Sequence, residues 1–331
     1  MHCELIVPRL FAEPTGMRAP ALELLLARGR GSSGEPRDLE SWLQEGFGLS
    51  DQGIAAGALT LAAAKGDPGE ACWARADPVH LRLLHERVIV APGFGFALSR
   101  AEADALCESL NRHFAGILAL QVVDPRRWCA RLEQELPIVA ASPLEVAGRD
   151  VDLSLPGGEA GKRWHALLNE AQMLLHAHPV NEAREARGEP AVNSLWLWGV
   201  GRAPRASRSP WQSVSAADPV ALGFARLAGA RSLALPDSAS GWLEAAAPDG
   251  RHLVVLDGLR APHALGHAGE YRECVEALEA RWFAPLLAAL RSGRIGMVTL
   301  RVPDAGGAAF ETIRGDLRRF WRRPRALERY A

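Results

Sequence analysis

The segment His178-Pro179-Val180-Asn181-Glu182-Ala183-Arg184 holds the densest set of functional side chains in this sequence of 331 residues. His178, Asn181 and Arg184 recur every third position, a spacing that turns side chains toward one helical face. The planar fork of Arg184 suits a phosphate or a carboxylate gripped through two parallel hydrogen bonds. Asn193 leads into Ser194 to Trp198, which reads as a strand, and Gly199-Val200-Gly201 follows. Glycines there let a ligand come close to backbone N–H groups. One reading is therefore a ligand cleft between two domains. The other is that His178, Asn181 and Asn193 cap and pin a helix-to-strand connection, while Trp196 and Trp198 fill a seam.

Other candidates are sparser. Asp77 and His80 make an acid/base pair at a turn, although Asp-Pro is also a common turn and cap start. Asp257, His263 and His267 bring an acid and two imidazoles within metal-ligand spacing, but the glycines and proline among them favour a loop. Ser32 and Ser33 sit in a Gly-rich stretch that reads as a surface loop, without a base nearby. Gly93-Phe94-Gly95 lacks the strand–loop–helix context of a phosphate-binding fingerprint. His113, His165 and His176 fall on helices. The five cysteines are scattered, with no zinc spacing. Arg314 to Arg325 is rich in arginine around Phe320 and Trp321; it reads as a terminal amphipathic helix with its aromatic face docked on the core.

These residues need a scaffold, and composition allows one. Hydrophobic residues make up 48% and charged residues 23%, the profile of a globular chain, and the formal net charge is -1. No global field draws the chain to nucleic acid or to acidic lipid. Lysine occurs only at Lys65 and Lys162, so arginine carries the positive charge. The N-terminus carries an acid and no long apolar run, and the apolar stretches are too short to span a bilayer. A cytoplasmic protein with reduced thiols is expected.

Periodicity supplies the elements. Strands are expected at Glu4 to Val7, Ala71 into a polar turn at Asp77-Pro78, Val88 to Val90, Leu118 to Val123, Trp128 to Leu132, Ser194 to Trp198, Ser232 to Leu235, His252 to Leu256 and Ile295 to Arg301. Helices are expected over 19–28, 38–47, 54–64, 100–114, 160–176, 181–187, 219–228, 238–246, 269–291 and 310–322. Ser99 and Glu102 form a capping box, 28–36 reads as a loop, and 202–218 is rich in Pro, Ser and Arg. The alternation after Pro219 argues for a parallel or mixed sheet covered by helices.

Taken together, His178-Pro179-Val180-Asn181, Arg184, Gly188 and Asn193-Ser194-Leu195-Trp196-Leu197-Trp198-Gly199-Val200-Gly201 closely resemble the signature of the archaeal-type cofactor-independent phosphoglycerate mutases, which belong to the alkaline phosphatase superfamily. Leu167-Leu168-Asn169-Glu170 fits that family as well. Trp73-Ala74-Arg75-Ala76 resembles the segment that opens its inserted domain, which adds Arg75 to the candidate ligand-binding residues. The resemblance runs from Cys72 to Gly201 and more weakly to Leu290. Asp77 to Leu81, Asn169 to Met173 and Trp321-Arg322-Arg323-Pro324 are similar to a bacterial regulatory-protein group of RpfE type.

The resemblance implies two divalent metals and a serine or threonine nucleophile that move a phosphoryl group. It implies an Asp after the first strand, yet Glu4-Leu5-Ile6-Val7 runs into Pro8-Arg9. It implies Asp-Glu-x-Gly-His at 263–267, where His267 is retained and the carboxylates are replaced by His263 and Ala264. It implies a final Asp-His pair, and no histidine follows Asp304. The expected fold class is thus α/β, a reduced alkaline-phosphatase-like sheet core over 1–68 and 202–331, with a smaller α+β domain inserted at 69–201. The expected function is a non-catalytic regulatory or ligand-sensing relative of the mutase. The alternatives are a metal-dependent mutase or phosphatase with a rearranged site, and a nucleic-acid-binding regulator using the arginine-rich C-terminus. No cofactor is expected, with Mn or Mg only under the first alternative. A small phosphorylated or anionic ligand is the expected partner, and neither membrane nor nucleic acid is.

Overall fold

The structure is a computed structural model that describes residues 1–14, 16–49, 53–84, 87–92, 96–135, 140–147, 157–205 and 208–330. In chain order the elements of the first half are β1 (His2–Ile6), α1 (Pro20–Arg28), β2 (Arg30–Ser32), α2 (Leu39–Gly46), α3 (Ala56–Ala63), β3 (Cys72–Leu84), β4 (Arg87–Pro92), α4 (Arg100–His113), β5 (Leu118–Asp124), β6 (Arg127–Leu132) and α5 (Pro143–Val146). They continue with α6 (Gly158–His176), α7 (Pro179–Ala186), β7 (Ser194–Gly201), β8 (Ser213–Ala216), α8 (Pro219–Leu227), β9 (Arg231–Ala234), α9 (Ala239–Ala245), β10 (Arg251–Val255), α10 (Arg260–Ala264), α11 (Ala268–Leu278), α12 (Ala284–Ser292), β11 (Met297–Val302) and β12 (Ala308–Ile313). The chain groups into two compact units, Met1–Ser50 with Arg205–Ala331, and Asp51–Pro204.

The first unit is built on a sheet in the order β2-β12-β11-β1-β10-β8-β9. β1 lies parallel between β10 and β11, and β8 and β9 continue the parallel set. Alternate residues of β1 face opposite sides. Cys3, Leu5 and Val7 enter a core with Leu22 and Leu25 of α1, Trp242 of α9 and Leu286 and Leu290 of α12. Glu4 turns to the other side, where its carboxylate accepts from Trp211 Nε1 at 2.7 Å. Helix starts are set locally: Asp38 caps α2 through the Ser41 N–H at 2.6 Å, and Asp218 caps α8 through the Ala221 N–H at 2.8 Å with Pro219 in the first turn. From β8 the chain passes through α8 outward to β9. From β10 it passes through α10 to α12 and returns to β11 on the far side of β1. The C-terminal ends of β8 and β10 therefore flank a topological switch point, the crevice where α/β sheets bind ligands.

The second unit has a five-stranded sheet, β4-β3-β6-β5 with β7 paired to β3. β3 is 13 residues long and runs straight through Asp77-Pro78, where a turn was expected. Along one edge of β3 the partner changes from β6, which pairs through Arg75, to β4, which pairs from Val79. Pro78 sits between the two ladders, where a missing N–H is tolerated. Ser99 and Glu102 form the expected capping box at the start of α4. α3 packs on β3 and β7, which places it in this unit; the sequence-based boundaries at 68 and 202 move to 50 and 205 by this grouping.

Four local expectations are corrected. The 28–36 loop contains edge strand β2, and the Pro/Ser/Arg-rich stretch 202–218, where no strand is expected, contains the buried strand β8. β7 continues through Gly199 and Gly201 as a strand. The expected helix over 310–322 is instead β12 followed by a short 3-10 turn at Arg314–Arg318, and Phe320 and Trp321 do not dock: they are 77% and 67% exposed. The Gly93-Phe94-Gly95 segment lies outside the described residues. No helix among the described residues is long and apolar enough to cross a membrane.

Candidate functional site

The expected ligand-binding residues all lie in the second unit, and most of their side-chain polar atoms are already bonded within the protein. His178 is the N-cap of α7, and its Nδ1 accepts the Val180 N–H at 3.2 Å. That acceptor role leaves the ring proton on Nε2, which faces Ser109 Oγ at 2.9 Å. The imidazole then donates to the hydroxyl, so the pair is not a base-activated nucleophile. Burial, with Arg112 nearby, holds the His178 pKa down, against a backbone hydrogen bond to Ala105 that works the other way. Asn181 is buried; its Nδ2 donates to Leu175 O at 2.7 Å and Val192 O at 2.8 Å, and its Oδ1 accepts from Val192 N at 2.9 Å.

Arg184 is equally committed. Its guanidinium is 1% exposed, donates to Pro190 O at 2.9 Å and Ala97 O at 2.8 Å, pairs with Glu102 at 3.3 Å and lies 5.5 Å from the Phe96 ring centre. Asn193 closes a two-way bond with Leu81, accepting its N–H at 2.7 Å and donating to its carbonyl at 2.9 Å. His80 Nδ1 meets Ala191 O at 2.7 Å. Arg75 donates from Nε to Asp77 Oδ1 at 3.1 Å and from Nη1 to Thr60 Oγ1 at 3.1 Å, while Trp198 Nε1 donates to Asp77 Oδ2 at 2.7 Å. Burial pushes the Asp77 carboxyl up, against the charge of Arg75 beside it.

The two glycines have a packing reason. A Cβ at Gly201 would lie 2.9 Å from Ala55 Cβ, and one at Gly199 would lie 2.4 Å from Ala56 Cβ. Gly199 also holds φ at +58°, a conformation that favours glycine. The expected ligand cradle is thus a set of braces that lock α7, β7, β3 and the entry to α3. A ligand at this place would have to displace those bonds. A surface cavity of about 640 Å³ in the same unit, lined by Asp104, Cys107, Glu108, Asn111, Arg112 and Leu120, includes none of these residues.

The switch point of the first unit holds a different constellation, which sequence reasoning missed. Arg260, in the first turn after β10, reaches Glu40 of α2 with Nη2 at 2.8 and 3.0 Å from the two carboxylate oxygens. Both side chains are buried. Burial works against the charge on Arg260; the carboxylates of Glu40 and Asp218 outweigh it and hold its pKa above the ordinary value. Asp257, at the end of β10, adds to the same field. A signal existed: Glu40 shares the buried stripe of α2 with Leu39, Leu43 and Gln44. At the end of β1 buried Pro8 stands before Arg9, whose φ is 65°. The Arg9 N–H donates to Asp304 Oδ1 at 2.8 Å, and its carbonyl accepts from Tyr271 OH at 2.5 Å.

His263 Nδ1 is 2.9 Å from Glu13 Oε1, and His267 Nδ1 is 3.3 Å from Glu270 Oε2. Among the described residues no three His, Cys, Asp or Glu side chains are grouped to hold a metal ion. Asp257, His263 and His267 therefore do not assemble a two-metal centre here.

This architecture is a mixed α/β fold. The PH0037 protein from Pyrococcus horikoshii shares it, with a TM-score of 0.60 at 14% identity over 94% of this chain and 86% of that chain. By sequence the chain is related to the 2,3-bisphosphoglycerate-independent phosphoglycerate mutases. It is 27% identical over 181 residues to that of Methanosarcina barkeri, covering 49% of this chain and 45% of the relative. It is 30% identical over 185 residues to that of Methanothrix thermoacetophila, covering 50% and 46%. The chain spans about half the length of the curated relatives it matches. No protein-family model matches it. These relatives correct one expectation: they are mutases of the class whose resemblance implies divalent metal, so the expected lack of a cofactor does not stand.

Proposed function

We propose that this chain is a non-catalytic relative of the cofactor-independent phosphoglycerate mutases, acting as a regulatory or ligand-sensing protein. The Arg260–Glu40 pair carries this reading. At the crevice where an α/β sheet presents its reactive groups, a buried guanidinium and a buried carboxylate are spent on each other. Pro8 after β1 supports the same reading, since the resemblance implies a carboxylate there. A rearranged phosphotransfer site would need Asp257, His263 and His267 to converge, and the contacts to Glu13 and Glu270 weigh against it. A small phosphorylated or anionic molecule is the ligand class this reading calls for. The test is interconversion of phosphoglycerates by the purified chain with Mn and Mg supplied; the reading predicts none, and turnover removed by substituting Asp257 or His267 overturns it.

A further inference from the structure

We propose that the exposed segment after β12 is a docking surface for single-stranded nucleic acid. Phe320 and Trp321 stand out of the surface at 77% and 67% exposure, with ring centres 5.3 Å apart and planes at 82°. Six arginines and one aspartate lie between 314 and 325, in a chain whose formal net charge is -1.

The fold accounts for two of those arginines. Arg319 pairs with Asp316 at 2.8 Å and donates to Arg28 O at 3.2 Å, and Arg322 donates to Gly29 O at 2.7 Å. Both complete the carbonyl end of α1, where cations are favourable. Arg314, Arg318, Arg323 and Arg325 are exposed and make no ion pair among the described residues. Arg30, next to Gly29 on the edge strand β2, is exposed as well.

Cations beside open aromatic faces match the chemistry of unpaired strands: arginines meet phosphates, and rings stack on bases without needing a pocket. An acyl layer or a peptide side chain needs a continuous apolar face or a socket. In this unit Ile313, Phe320 and Trp321 are the exposed large apolar side chains among the described residues. The surface is independent of the non-catalytic reading, and either can fail alone.

The test is fluorescence anisotropy of labelled oligothymidylate and oligouridylate with the full chain, over a salt series; the two probes separate DNA from RNA. Binding should weaken with salt, and replacing Arg318, Arg323 and Arg325 by Gln should flatten the slope by about 0.7 for each phosphate no longer neutralised. Trp321→Ala and Phe320→Ala should each weaken binding on the order of ten-fold with the thermal melting curve unchanged. Failure to bind either probe at low salt overturns the proposal. So does binding that W321A leaves intact, equal affinity for polyglutamate or anionic vesicles, or self-association of the chain through Trp321 in place of probe binding.

Discussion

Arg260 and Glu40 are 220 positions apart in sequence, and the guanidinium of one sits 2.8 Å from the carboxylate of the other with both side chains buried. The contact ties the turn after β10 to α2 at the C-terminal end of the sheet. Removing Arg260 strands the buried Glu40 carboxylate and should cost about 3–5 kcal/mol, whereas E40A leaves Arg260 the fields of Asp218 and Asp257 and should cost less. The apolar pair R260M/E40L should recover most of that loss. Urea unfolding of the four proteins checks it; a double variant that loses the sum of the two single effects would show that the two side chains do not act as a pair.

The glycines after Trp198 give a sharper contrast between a ligand cradle and a packing seam. Gly201→Ala should destabilise the second unit by about 1–3 kcal/mol, because the new Cβ lies 2.9 Å from Ala55 Cβ. Ala55→Gly in the same chain should relieve it. Gly199→Ala should not be rescued by Ala56→Gly, since its φ of +58° retains a left-handed cost of about 1–2 kcal/mol. If Gly201 existed for ligand approach, Gly201→Ala would unfold at unchanged denaturant concentration.

Asn181 makes a third prediction. Its side chain satisfies Leu175 O, Val192 O and Val192 N, all buried. Asn181→Ala strands those groups and should cost about 2–4 kcal/mol. Asn181→Asp keeps the acceptor and turns the donor into a second acceptor against two carbonyls, so it should be at least as damaging. Calorimetric melting distinguishes this from a ligand role, in which the apo protein would melt unchanged.

Much of this scaffold was legible in the sequence, because local chemistry specifies it. The Ser99–Glu102 box and the helices expected over 38–47 and 219–228 appear where their residues predict. β8 was missed because Ser213-Val214-Ser215-Ala216 is small and half polar, unlike the apolar runs of most buried parallel strands. β12 was missed although Gly306 and Gly307, both at positive φ, mark the turn that pairs it with β11. The motif around His178 was legible as a cluster, but spacing cannot tell a side chain that waits for a ligand from one that braces a turn. For the Arg260–Glu40 pair only half a signal existed, a carboxylate among the buried positions of α2, since nothing local to either residue names the other.

Acid sensitivity should trace in part to Glu102. Burial alone would raise its pKa; hydrogen bonds from Ser99, with Arg187 and Arg184 alongside, win and bring it from 4.5 down to about 2. A depressed carboxyl pKa stabilises the fold above the unfolded value, and that stability is lost as pH falls through the folded value. Unfolding free energy should therefore drop between about pH 4.5 and pH 2, and Glu102→Gln should flatten this segment of the profile. Denaturant titrations across that range give the slope directly; an unchanged slope in the variant would assign the acid loss elsewhere.

The most direct test of the non-catalytic reading is phosphoglycerate turnover by the purified chain with Mn and Mg supplied, run beside R260A and a curated relative as positive control. The relative should turn over and this chain should not. Steady turnover by the unmodified chain, abolished in Asp257→Ala or His267→Ala and proportional to bound metal, would contradict that reading and establish a working site at the C-terminal end of the sheet.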